Sequence, residues 1–87
     1  MKRAENYIIR ELEEEYLILP TGKRTETETE AIVLSETAGF IYLHAAEAET
    51  AEQLAEIVAK EYGIAPEEVL DDVRTVVDAL QKRGLLE

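Results

Sequence analysis

The 87-residue chain has no cysteine and no tryptophan, and only one histidine, one phenylalanine and one methionine. Without thiols there are no disulfides and no thiolate zinc sites, a composition that fits a reducing cytoplasm. Ser35 is the only serine and His44 the only histidine. A hydrolytic nucleophile needs a base beside it, and no Gly-x-Ser-x-Gly turn surrounds Ser35. A lone histidine with no second His or Cys nearby is not half of a metal site. No apolar run approaches the roughly 18–20 residues that cross a bilayer. Met1-Lys2-Arg3 leads into Ala4 and Glu5 instead of an apolar signal core, so a cytoplasmic location is expected. Positive charge is scarce too. Nine basic residues stand against 20 acidic ones, a formal charge of −11, and such a chain repels phosphate backbones unless its cations cluster. They are scattered, with only Lys82-Arg83 near the end of the last predicted helix. No catalytic residue, metal site or cofactor is assigned.

What is present is enough to fold. Hydrophobic residues make up 46% of the chain, and no repeat or linker divides it, so residues 1–87 read as a single domain with one modest core. Residues 7–12 and 16–19 are short, β-branched and aromatic runs around an acidic tip, Glu13-Glu14-Glu15, which predicts a β-hairpin. Pro20-Thr21-Gly22 is turn chemistry that ends the second strand. Residues 25–30 alternate Thr and Glu. That period suits a strand, yet it has no apolar side to bury, and a loop is equally consistent. Residues 31–34 form a third short strand.

Three helices follow. Ser35 is placed to cap the first, which carries Ala38, Ile41, Tyr42 and Ala45 at helical spacing. Thr50 with Gln53 forms a capping box for the second, whose inner stripe is Leu54, Ile57, Val58 and Tyr62, and Gly63 ends it. Pro66 suits the first position of the third, which runs to about Arg83 with Gly84 as its terminator. Val69, Leu70, Val73, Val76, Val77 and Leu80 share one side of that helix in an arc of roughly 120°. Leu85 and Leu86 fold back to close the core. The fold class is α+β and winged-helix-like: a short three-stranded antiparallel sheet followed by a three-helix bundle.

Other chemical motifs carry little. The runs Glu13–Glu15 and Glu26/Glu28/Glu30 lack the spacing of a calcium loop. Gly22-Lys23-Arg24-Thr25 lacks the upstream glycine of a phosphate loop. An acyl carrier protein would need Asp-Ser-Leu, whereas Ser35 lies between Leu34 and Glu36.

The order of elements, and above all Leu34-Ser35-Glu36-Thr37-Ala38-Gly39-Phe40-Ile41-Tyr42, with Glu61-Tyr62-Gly63, Pro66-Glu67-Glu68, Asp72-Val73, Leu80 and Gly84-Leu85-Leu86 behind it, resembles the PqqD-like family, the RiPP recognition elements. The likeness runs from about Asn6 to Glu87. The family usually has Asn where this chain has Ser35; both residues cap helices. The resemblance implies a non-catalytic adaptor that captures the leader segment of a ribosomally made precursor peptide and presents it to a modifying enzyme, often a radical S-adenosylmethionine enzyme. It places the leader as an added strand on Ile32-Val33-Leu34, walled by Asp72, Val73, Val76 and Leu80.

Elementary physics suits that placement. An edge strand offers free N–H and C=O groups, and backbone pairing gives sequence-tolerant affinity while side-chain pockets give selectivity. The same valines also suit the core, Val73 and Leu80 above all, with Val76 at the rim of the arc. Two other functions compete. A winged helix-turn-helix would bind DNA, but its recognition helix would carry Glu67, Glu68, Asp71, Asp72 and Asp78, which phosphate repels. A structural module that dimerises through its hairpins is the other, so the chain is expected as monomer or homodimer.

Overall fold

The computed structural model describes residues 1–28 and 30–87. Strands β1 (Tyr7–Glu11), β2 (Glu15–Pro20) and β3 (Ile32–Ser35) precede helices α1 (Glu36–His44), α2 (Ala51–Tyr62) and α3 (Pro66–Lys82). The sheet is antiparallel in the order β1-β2-β3, so β2 is central and β1 and β3 are edges. The predicted fold class is the observed one, with strand ends displaced by a residue.

Strand alternation sorts the side chains. Tyr7, Ile9, Tyr16, Ile18, Ile32 and Leu34 are in register on one face and pack on the helices. The outer face carries Ile8 paired with Leu19, and Arg10, Leu17 and Val33 in one row. Leu12 closes the hairpin, its N–H donating to Glu15 O at 2.8 Å.

After Pro20 the chain turns on Gly22 (φ 56°). Gly22–Glu26 forms a 3-10 turn, so the described part of the Thr/Glu segment is not a strand. Thr29, which belongs to the same segment, lies outside the described residues. Long-range contacts hold the turn. Arg24 stacks on the Tyr7 ring at 4.6 Å and reaches Glu28 at 3.3 Å. The Tyr7 hydroxyl is shared between both Glu28 oxygens at 2.8 Å, and Arg24 Nε donates to Glu5 O at 2.8 Å.

The helix starts follow their caps. Ser35 Oγ accepts from the Ala38 N–H at 3.1 Å, and Thr50 Oγ1 from the Gln53 N–H at 3.1 Å. The return arm of that box goes to Glu49 N–H, at 2.7 Å, one residue before the expected cap. Pro66 opens α3, where Glu68 accepts from the Ala65 N–H at 2.8 Å. Ala45 falls in a 3-10 turn after α1, not in the helix. Tyr62 departs from the predicted inner stripe. As the last residue of α2 it is 42% exposed and meets Phe40 edge-on.

The core lies between the inner sheet face and the three helices, around Ile18, Ile41, Tyr42, Leu54, Val58, Val73, Leu80 and Leu85. Leu85 and Leu86 do fold back, with both N–H groups on Leu80 O.

Candidate functional site

β3 is bonded to β2 on one side only, and among the described residues no fourth strand covers its other edge. The Tyr7–Arg24–Glu28 cluster ties Glu28 to β1, the opposite edge strand of the sheet. The three predicted β3 residues differ in what they offer. Leu34 is 8% exposed and belongs to the core, Ile32 is half-buried, and Val33 is 55% exposed on the outer sheet face. Ile32 and Leu34 therefore contribute backbone; Val33 contributes backbone and side chain.

The residues of the expected α3 wall divide the same way. Val73 is 0% and Leu80 2% exposed, so neither has surface left for a guest, and both are core. The reason is their phase: with Val77 they form the buried side of α3, which packs into the common core. Val76 is half-buried at the margin of the core and Asp72 is exposed. Of the four predicted wall residues, two remain available.

Sequence reading missed the far end of this wall. Arg83, seven residues beyond Val76, is about 20° from it around the helix. Together with Thr27, Glu28, Glu30, Ala31 and Ile32 it lines a cleft of about 390 Å³ that joins the start of β3 to the C-terminal end of α3. The heptad spacing from Val76 was the available signal. That the residues before β3 come near it was not, because the turn that brings them there is set by Tyr7.

A larger hollow, about 880 Å³, lies beside β1 and is lined by residues 1–9, Tyr42 and Ala46. It is a shallow space bordered by the chain's own N-terminal segment, with Arg3 stacked on Tyr42 at 5.7 Å and the terminal ammonium bonded to Ala45 O at 2.8 Å. It borders the free edge of β1, but its other walls are the chain's own first residues, held by the Arg3–Leu86 bridge and the bond from the terminal ammonium to Ala45 O, so the β3 side is the better candidate despite its smaller volume.

The remaining chemical candidates have structural roles. Ser35 is a cap. His44 stacks on Phe40 at 4.2 Å, with Nδ1 2.5 Å from Glu47. Among the described residues no three His, Cys, Asp or Glu side chains gather as a metal site, and no helix is long and apolar enough to cross a membrane. Desolvation raises the pKa values of Tyr7, Tyr16 and Tyr42, and at Tyr7 the hydrogen bond to Glu28 adds to it.

Three comparisons bear on this arrangement. The sequence family described as coenzyme PQQ synthesis protein D (PqqD) matches residues 15–86. Among solved structures, that of TbiB1 in complex with the TbiA(beta) leader peptide superposes with a TM-score of 0.73 at 21% identity, over 100% of this chain and 95% of that one. No curated protein matches.

Proposed function

The chain belongs to the PqqD family, and from that premise we propose that it is a non-catalytic adaptor. It captures the leader segment of a ribosomally synthesised precursor by strand addition to β3 and presents the precursor to a modifying enzyme. The observation that carries this reading is the unpaired edge of Ile32–Ser35, running into a cleft shared with the end of α3. A sheet edge in water satisfies its N–H and C=O groups only with solvent, and a guest strand replaces that solvent with ladder bonds. Val33, Val76 and Asp72 are the accessible side chains we assign to peptide contact; Ile32 and Leu34 act through their backbone.

The relative TbiB1 is named for its complex with a leader peptide, which supports the same occupant here. A radical S-adenosylmethionine enzyme is the partner class we favour for collecting the loaded adaptor, in the cytoplasm where the precursor is made. The 87 residues act as one peptide-recognition domain.

The test is an amide-resonance titration of the labelled chain with the synthetic leader of a precursor encoded beside it. Shifts should concentrate on residues 32–35 and on the Asp72–Arg83 part of α3. The same peptide N-methylated at alternate residues, and so deprived of ladder donors, should bind at least tenfold more weakly, about 1.4 kcal/mol. Shifts confined to α1 and α2, or equal affinity of the methylated peptide, would refute strand addition.

A further inference from the structure

We propose that Arg83 sets the charge specificity of the groove by binding a carboxylate side chain of the leader at the position beside the start of β3. This rests on the strand-addition reading above and adds to it which residue chemistry the peptide must bring, and where.

Arg83 is an exposed residue at the end of α3. Its backbone N–H is bonded to Ala79 O at 3.1 Å and Gly84 turns the chain after it at φ 78°. Its base is therefore fixed while its guanidinium is free. Four of the other eight cations are in ion pairs, Lys2 with Glu87 at 3.6 Å, Arg24 with Glu28 at 3.3 Å, Arg74 with Glu52 at 2.6 Å and Lys82 with Asp78 at 2.8 Å, and none of the eight lines the cleft. Arg83 has no ion-pair partner among the described residues, yet it lines the cleft at Ile32.

The opposing wall holds two acids with different standing. Glu28 is engaged by Arg24 and Tyr7, so its charge is largely spent. Glu30 is exposed and unpaired among the described residues, and it works against an acidic guest. So does the helix end, whose dipole amounts to roughly half a negative charge. Counted as charge alone, Glu30 and the helix end together exceed the one positive charge of Arg83; what favours an acid is direct contact, because the planar guanidinium fork matches a carboxylate bidentately.

The field of the whole molecule decides the rest. With a net charge of −11, basic peptide residues are attracted almost anywhere on the surface, which selects no register. An acidic residue meets a cation in this cleft only at Arg83, the one basic residue of its lining. An acid there therefore fixes which leader residue faces Ile32.

A random peptide library displayed on phage, selected on the wild-type chain and on Arg83→Glu, tests this. Amide shifts at residues 32–35 then establish which selected peptides pair with β3. Wild type should enrich Asp or Glu at the peptide position next to Ile32, and Arg83→Glu should enrich Lys or Arg there. Replacing that acid by its amide should weaken wild-type binding about three- to tenfold, less in high salt. Against the neutral Arg83→Gln the same replacement should not weaken binding and should tighten it slightly, because only repulsion of the acid then remains, a comparison that holds even if the reversal frays the helix end. Glu30→Gln should tighten acidic peptides. Peptides that pair with β3 but show no acid preference, or the same preference in Arg83→Glu, would overturn the role of Arg83 and leave strand addition standing. If no selected peptide perturbs β3, strand addition itself falls, and this proposal with it.

Discussion

Gly39 sits mid-helix in α1, where a β-carbon would lie 2.0 Å from Tyr16 Cδ1 and 2.7 Å from Tyr16 Cβ. The near atoms include the root of the tyrosine side chain, so it cannot simply swing away. Gly39→Ala gains about 1 kcal/mol of helix propensity but forces α1 off the sheet, and it should destabilise by a net 1–3 kcal/mol, roughly. A melting temperature lowered by several degrees would show it; an unchanged or raised value would refute the close packing. Ser35→Ala should cost about 1 kcal/mol through loss of the cap, read from the urea midpoint. These two neighbours mark what was legible. Ser35, Thr50 and Pro66 could be read because a cap is decided by a few adjacent residues. The need for glycine at 39 and the exposure of Tyr62 could not, because each depends on a side chain far along the chain.

The secondary-structure elements show the same division. Hairpin, strand and helix periods were legible in the apolar spacing, but the Thr/Glu segment had no apolar side to orient it, and Tyr7, some twenty residues earlier, decides its course. On α3 the apolar arc was readable, whereas the boundary between core and groove within it was not; packing of the whole core buries Val73 and Leu80 and leaves Val76 half-buried. The turn's anchor also predicts an alkaline response. Burial, and then the bond to Glu28, raises the Tyr7 hydroxyl above its ordinary 10.0, and burial raises Tyr16 and Tyr42 similarly. The folded chain thus holds these protons more tightly than the unfolded one. Their contribution is complete below about pH 10 and is lost as pH rises through the higher folded values. The urea midpoint should be level up to roughly pH 9.5 and fall above roughly pH 10. Tyr7→Phe should flatten part of that fall; an identical slope would refute the anchor's role.

At the scale of the molecule, charge and shape act together. The sheet has helices on one face only, and the molecule measures 42 × 27 × 18 Å. Its 20 acidic residues repel one another across so small a body, so salt up to about 0.5 M should raise the urea midpoint by screening. A midpoint that falls with salt would mean that ion pairs such as Arg74–Glu52 outweigh the repulsion. The same charge repels phosphate backbones, so a gel shift with duplex DNA at low salt should show no complex; a robust one would reverse the proposed function.

The two ends of the chain are stitched side by side. Arg3 and Leu86 form a β-bridge, Ala4 N–H donates to Leu85 O at 2.9 Å, and Glu87 N–H to Lys2 O at 2.9 Å. This seam begins two residues past Arg83. Anything covalently joined at either end would thus be tethered beside the same mouth of the groove, and a fused catalytic partner would meet the captured substrate at a high effective concentration without any docking surface of its own. Joining the old ends through a short linker and opening the chain at the hairpin tip should yield a permuted protein that still folds.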